Sequence, residues 1–119
     1  MKAVLDSDIL IDFLQGDTRA AEEIERYDDL SFSVISWMEV MSGADTEPEK
    51  VAAKGLLDSM RVVELSSQIA HRAVEARRKY RIKLPAAVIW ATADSEGCIL
   101  VTRNTKVFDK EHPMIRIPY

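Results

Sequence analysis

The chain has a single cysteine, and Cys98 alone can form neither an intramolecular disulfide nor a multi-cysteine zinc site. Its place in the apolar run CILV marks it as core. No apolar run reaches membrane-spanning length, and MKAVLDSDIL carries one lysine and meets an acid at Asp6, too early for a signal peptide. A cytoplasmic protein without membrane contact is expected. Glycine and proline number four each, scattered as punctuation, and there is no repeat, low-complexity tract or linker. What is there fits one domain: 119 residues, 47% hydrophobic and 30% charged, are enough for one core and not for two.

The net charge of −4 argues against a protein that coats nucleic acid without specificity, yet the charge is unevenly spread. Asp17 to Asp29 is acidic. His71 to Lys83 is basic, with Arg72, Arg77, Arg78, Lys79, Arg81 and Lys83 against Glu75. That stretch reads either as a solvated helix face or as a hold for a phosphate backbone, with Arg77, Arg78, Arg81 and Lys83 as the candidate contacts.

KAVL reads as a short buried strand ending at Asp6, and Ile9, Leu10, Phe13 and Leu14 follow at helical spacing up to Gly16. TRAAEEIERY is a second amphipathic helix, capped by Asp17 or Thr18. LSFSVI has strand composition, and Ser36 is placed to cap a helix WMEVMSG. A helical hairpin over Pro48–Met60 and Ser66–Tyr80, separated by VVEL, is expected next. Pro85 suits a first helical turn and opens an apolar helix, after which come strand CILVT, a short helix near NTKVF and a last strand MIRI. Alternation of this kind predicts an α/β domain with a largely parallel sheet.

In such sheets ligands gather beyond the carboxyl ends of the strands. Asp6, Glu39, Ala86 and Asn104 all fall at that edge. Clustered carboxylates repel one another, and a hard oxygen-ligated cation such as Mg2+, with Mn2+ as a substitute, relieves the repulsion and serves phosphodiester hydrolysis. Glu39 stands between Met38 and Val40, where an unpaired carboxylate would be expensive, so a functional role is favoured. Ala86 is the anomaly: the first turn of a helix favours a carboxylate, and alanine makes no use of it.

LDSDILIDFL, ISWMEVMSGA, KLPAAVIWATA and LVTRNTKVF, in that order, resemble the motifs of PIN-domain ribonucleases, specifically the VapC toxins of bacterial toxin–antitoxin pairs. The resemblance spans essentially the whole chain, 1–119, as a single PIN-like domain. It implies an α/β/α sandwich and a Mg-dependent endoribonuclease that cleaves structured RNA such as tRNA. It also implies a homodimer neutralised by a VapB-type antitoxin, which lays a basic side chain into the carboxylate cup and through which alone operator DNA is contacted. Asp6 and Glu39 match the first two family acids, Ser7 and Asp8 the supporting residues, and Asn104 a variable fourth position. The third acid follows the Leu-Pro pair, where this chain has Ala86.

Asp94, about 12 Å along the helix and about 80° around it, cannot replace that acid. Asp109 reads as a surface residue, with substitution for the fourth acid as the alternative. Thr102 and Arg103 could make a phosphate contact or a turn contact; Asp12 and Asp17 read as solvent-facing, Trp37 and Trp90 as core or, alternatively, as stacking on bases, and His71 as without chemistry. The chain is therefore expected to be inactive or attenuated, either by an Asp-to-Ala change made to prepare a toxic protein or as a natural pseudoenzyme binding antitoxin or RNA. A receiver-like signalling domain is the remote alternative, and LSFSVIS offers no phosphoacceptor for it.

Overall fold

Ala3, Val4 and Leu5 are fully buried in succession, the pattern of a strand covered on both faces. In the computed structural model, which describes residues 1–119, they belong to β1 (Lys2–Leu5), the middle strand of the sheet. β2 (Asp29–Ser33) and β4 (Ile99–Val101) flank it, and β3 (Arg61–Val63) and β5 (Ile115–Arg116) form the edges. The order is β3-β2-β1-β4-β5 and every pairing is parallel, with Val4 opposite both Ser31 and Leu100. All carboxyl ends therefore point to one edge.

The six helices are α1 (Ser7–Leu14), α2 (Thr18–Glu25), α3 (Val34–Ser42), α4 (Glu47–Asp58), α5 (Ser67–Tyr80) and α6 (Leu84–Glu96). Strand alternation assigns Val4 to one core, with residues of α5 and α6, and Ala3 and Leu5 to the other, with residues of α1 to α4. The result is the expected α/β/α sandwich. In α6, Ala87, Val88, Ile89, Ala91, Thr92 and Ala93 are all buried, and the small side chains let the helix lie close on the sheet. Gly97 ends it with a φ of 67°.

Three boundaries differ from expectation. Ser33, not Ser36, caps α3, its Oγ accepting the Ile35 N–H at 3.0 Å, so the strand is shorter and Ser36 is buried inside the helix. The hairpin does not form. RVV pairs with β2 as an edge strand, and α5 packs against α6, with which it makes its main helix contact. NTKVF is a single turn, with the Val107 and Phe108 N–H groups on the Asn104 carbonyl, because the chain must turn back at once toward β5.

Candidate active site

Parallel strands bring Asp6, after β1, and Thr102 to Asn104, after β4, to the same edge. α3 leads away from β2 and carries Glu39, and α6 begins beside them with Ala86 as its third residue. All four expected positions line one cleft of about 770 Å³, together with Ser7, Asp8, Arg81, Lys83 and Lys106.

Asp6 caps α1, its Oδ1 accepting the Ser7 N–H at 2.7 Å. Its Oδ2 accepts the buried Thr102 hydroxyl at 2.6 Å. Ser7 donates its own hydroxyl to Glu39 Oε1 at 2.6 Å, so Asp6 and Glu39 are held in one network. Asp8 reaches across to β4's end, accepting the Arg103 N–H at 3.0 Å through Oδ2. Its Oδ1 is buried and has no hydrogen-bond partner. Burial first, then the neighbouring Asp8 charge, pushes the Asp6 carboxyl up to about 7 against the bonds from Thr102 and Ser7. Burial likewise raises Asp8, opposed by the Arg103 and Ile9 N–H groups.

No three His, Cys, Asp or Glu side chains converge as a complete metal-binding group. Asp6, Glu39 and the Asn104 amide nevertheless supply hard oxygen donors around the cleft, and the orphaned Asp8 oxygen adds an unmet demand for positive charge. This set fits a small divalent cation that keeps several waters and takes one or two carboxylates. Ala86, half-buried, presents only a methyl group to the cleft.

Several expectations change. Glu39 is not embedded in apolar surroundings: Met38 and Trp37 beside it are exposed, at 45% and 39%, so its position owes nothing to burial, and Trp37 is not core. Trp90 is half-buried. Asp12 is not solvent-facing; it is bound by the Arg103 guanidinium, Nε to Oδ2 at 2.6 Å, and accepts the Tyr119 hydroxyl at 2.9 Å. The Arg103 guanidinium is thus engaged by Asp12 of α1 and lies 5.4 Å from the Tyr119 ring centroid. Asp17 caps α2 and pairs with Arg19. Asp94 pairs with Arg72, and Asp109 accepts the Glu111 N–H. His71 bonds the Ser67 carbonyl within its own helix, and Cys98 is buried and free.

The basic stretch divides. Arg81 and Lys83 line the cleft, whereas Arg77 donates to the Ile82 carbonyl at 3.3 Å and neither it nor Arg78 lines the cleft. Sequence reasoning missed Lys106, which joins Arg81 and Lys83 there. The signal lay in its place just after the strand end. None of these three, nor Lys79, has a carboxylate within the 4.0 Å of an ion pair, whereas Lys2, Arg19, Arg61, Arg72, Arg103 and Arg116 all do.

The fold and the cleft define an α/β domain with an acidic, cation-rimmed site at the carboxyl edge of a parallel sheet. Residues 3–111 match the family model of the PIN domain, and the chain belongs to that family. PIN domains are generally nucleases and generally use divalent metal ions. A chain of a toxin–antitoxin complex from Klebsiella pneumoniae is 37% identical, with a TM-score of 0.91 and 98% of each chain covered. The DNA-bound VapBC of Salmonella typhimurium, at 23% identity and a TM-score of 0.83, covers 98% of this chain and 96% of its own. VapBC2 of Rickettsia felis, bound to a promoter DNA fragment, is 18% identical with a TM-score of 0.83 and 98% of each chain covered. These last two share the fold. Among curated proteins there is no match. Family membership leaves no place for the receiver-like alternative.

Proposed function

We propose that the chain is the toxin of a VapBC-type pair: an endoribonuclease for structured RNA such as tRNA, dependent on Mg2+ or Mn2+, impaired here by Ala86. The observation that carries the toxin reading is the 37% identity, over 98% of both chains, to a chain of a toxin–antitoxin complex. Convergence of Asp6, Glu39, Asn104 and position 86 on one cleft supports the nuclease reading.

Asp6 and Glu39 are the residues that would hold the cation, joined by a carboxylate at position 86 when one is present. The bound ion would activate the attacking water and stabilise the leaving oxygen. Around it, Ser7 and Thr102 fix the rotamers of the two acids through their 2.6 Å hydrogen bonds. Asp8, held by the Arg103 N–H, adds negative charge from behind. Asn104 can orient a water through its amide. Arg81, Lys83 and Lys106 balance phosphates flanking the scissile bond. The rest of the reading is a homodimer in the cytoplasm, neutralised by a VapB-type antitoxin whose basic side chain enters the cleft and which alone contacts operator DNA.

Cleavage of a total tRNA pool in magnesium tests this directly. Ala86→Asp is expected to cut at least about a hundredfold faster than the parent chain, the scale of one lost electrostatic stabiliser. Adding Glu39→Ala should abolish the gain. A pool left intact by Ala86→Asp contradicts the reading and favours a module that only binds antitoxin or RNA.

A further inference from the structure

Beside the acid cleft, between the end of α5 and the face of α6, lie two hollows of about 120 and 390 Å³. Both share Tyr80 with the cleft, and both are lined by Trp90 and His112. Tyr80 and Trp90 meet edge to face at 6.0 Å, and Trp90 and His112 do so at 5.0 Å. Tyr80 is 42% exposed although it is the last residue of a well-packed helix, and the Lys79 ammonium lies 5.3 Å from its ring centroid. His112 is fixed in turn, its Nδ1 accepting the Met114 N–H at 3.1 Å. An exposed Tyr80 and half-buried Trp90 and His112 thus line hollows next to a cleft rimmed by unpaired Arg81, Lys83 and Lys106.

We infer that the hollow at Tyr80, Trp90 and His112 holds an unpaired base of a single-stranded RNA segment, while that segment's neighbouring phosphate lies among Arg81, Lys83 and Lys106. The inference rests on the nuclease reading and deepens it, because it names the part of the substrate next to the scissile bond. Aromatic faces accept any base, and the adjoining cations set the backbone path, the pairing of features that single-stranded nucleic acid requires. The two elements place these features in register. Along α6, Trp90 stands one turn beyond Ala86, and along α5, Tyr80 directly precedes Arg81. Of the carboxylates nearby, Asp94 pairs with Arg72 at 3.2 Å, while Glu75 on the larger hollow and Asp109 on the smaller one have no ion pair and can accept a base's amino protons. A base inside a duplex could not reach the hollow, so the site selects loops and unpaired ends.

The test uses the Ala86 chain without added divalent cation, in a Trp37→Phe background so that Trp90 is the one remaining fluorophore of its kind. The probes are a mixed-sequence hexaribonucleotide, an abasic oligomer of equal length and charge, and a blunt duplex of the same sequence. The hexamer should quench Trp90, and the abasic oligomer and the duplex should not. Tyr80→Ala and Tyr80→Leu should weaken hexamer binding about tenfold or more, and Tyr80→Phe should stay within about twofold. Tyr80→Leu keeps the apolar contact with Trp90, so a loss there is not a folding defect. Equal binding of hexamer and abasic oligomer, or hexamer binding indifferent to Tyr80→Leu, overturns the inference. Should Ala86→Asp cut RNA with a KM unmoved by Tyr80→Leu, the base site falls and the nuclease reading stands. Should Ala86→Asp cut nothing while the hexamer still quenches through Tyr80, the base site stands and the nuclease reading falls.

Discussion

Arg81 is the non-glycine residue with positive φ, at 56°, and it ends α5 where glycine is the usual choice. A Cβ in that conformation costs about 1 kcal/mol or more, and the strain sits beside the acid cleft, which the side chain lines. Arg81→Gly should therefore raise stability by up to about 1 kcal/mol in urea denaturation, with some of the gain offset by the entropy of glycine. The same change should weaken binding of a hexaribonucleotide. A variant that is both more stable and equally tight would show that the arginine has no role at the cleft. At this scale the sequence was most readable where a residue broke a local rule. Ala86 stood out because the Pro85 context predicted a helix start that favours an acid. Arg81 did not stand out, because a backbone dihedral leaves no mark in the sequence when the residue is not glycine. Asp12 and Tyr119 were invisible for another reason: they are 107 residues apart, and neither carries a local pattern that predicts their hydrogen bond.

Among the elements, α2 and β5 are joined by a buried ion pair. Glu23 is 4% exposed and accepts from Arg116 at 2.6 and 2.8 Å and from the Tyr27 hydroxyl at 2.6 Å. Burial alone would raise the Glu23 carboxyl, but the Arg116 and Tyr27 bonds outweigh it and hold it below the usual 4.5. A carboxyl depressed in the folded state contributes stability that is present above about 4.5 and is lost as the pH falls through the lower folded value. Glu23→Gln should therefore cost about 2 kcal/mol near neutral pH, less than a fully buried pair because the guanidinium is partly exposed. The gap to the parent should close in acid, as read from urea midpoints across the pH range. A gap independent of pH would mean that the pair contributes packing and not charge. Helix α5 was legible as the second arm of the expected hairpin, and α6 from Pro85 at its first turn and the apolar run after it. The start of α3 was not, because Ser33 and Ser36 are both able caps and strand pairing with β3, which ends at Ser33, decides between them.

For the whole molecule, a net charge of −4 conceals an uneven spread: Lys2, Arg19, Arg61 and Arg116 are each paired with a carboxylate, whereas Arg81, Lys83 and Lys106 at the cleft are not. If Arg81, Lys83 and Lys106 each neutralise one phosphate of a single strand, log affinity should fall against log salt with a slope of about −2. Filter binding of a hexaribonucleotide over a salt series checks this, and a slope near zero would remove these cations from the interface. The parallel architecture and the convergence of Asp6, Glu39, position 86 and Asn104 were legible, since alternation of strand and helix places residues that follow strands at one edge. The partition of the basic stretch was not. Arg77, Arg78, Arg81 and Lys83 look alike in sequence, and only the turn at Arg81 directs two of them to the cleft.

The central claim is that a carboxylate at position 86 completes a metal-binding cup that Asp6 and Glu39 begin. Calorimetric titration of the parent chain and Ala86→Asp with Mn2+ measures it without RNA. Completion of the cup predicts at least about tenfold tighter binding by Ala86→Asp, of the order that metal sites lose when a supporting group is removed. It also predicts loss of that gain when Glu39→Ala is added. Equal Mn2+ affinity in the two chains would contradict the claim and place the metal, and with it the reason for Ala86, elsewhere in the molecule.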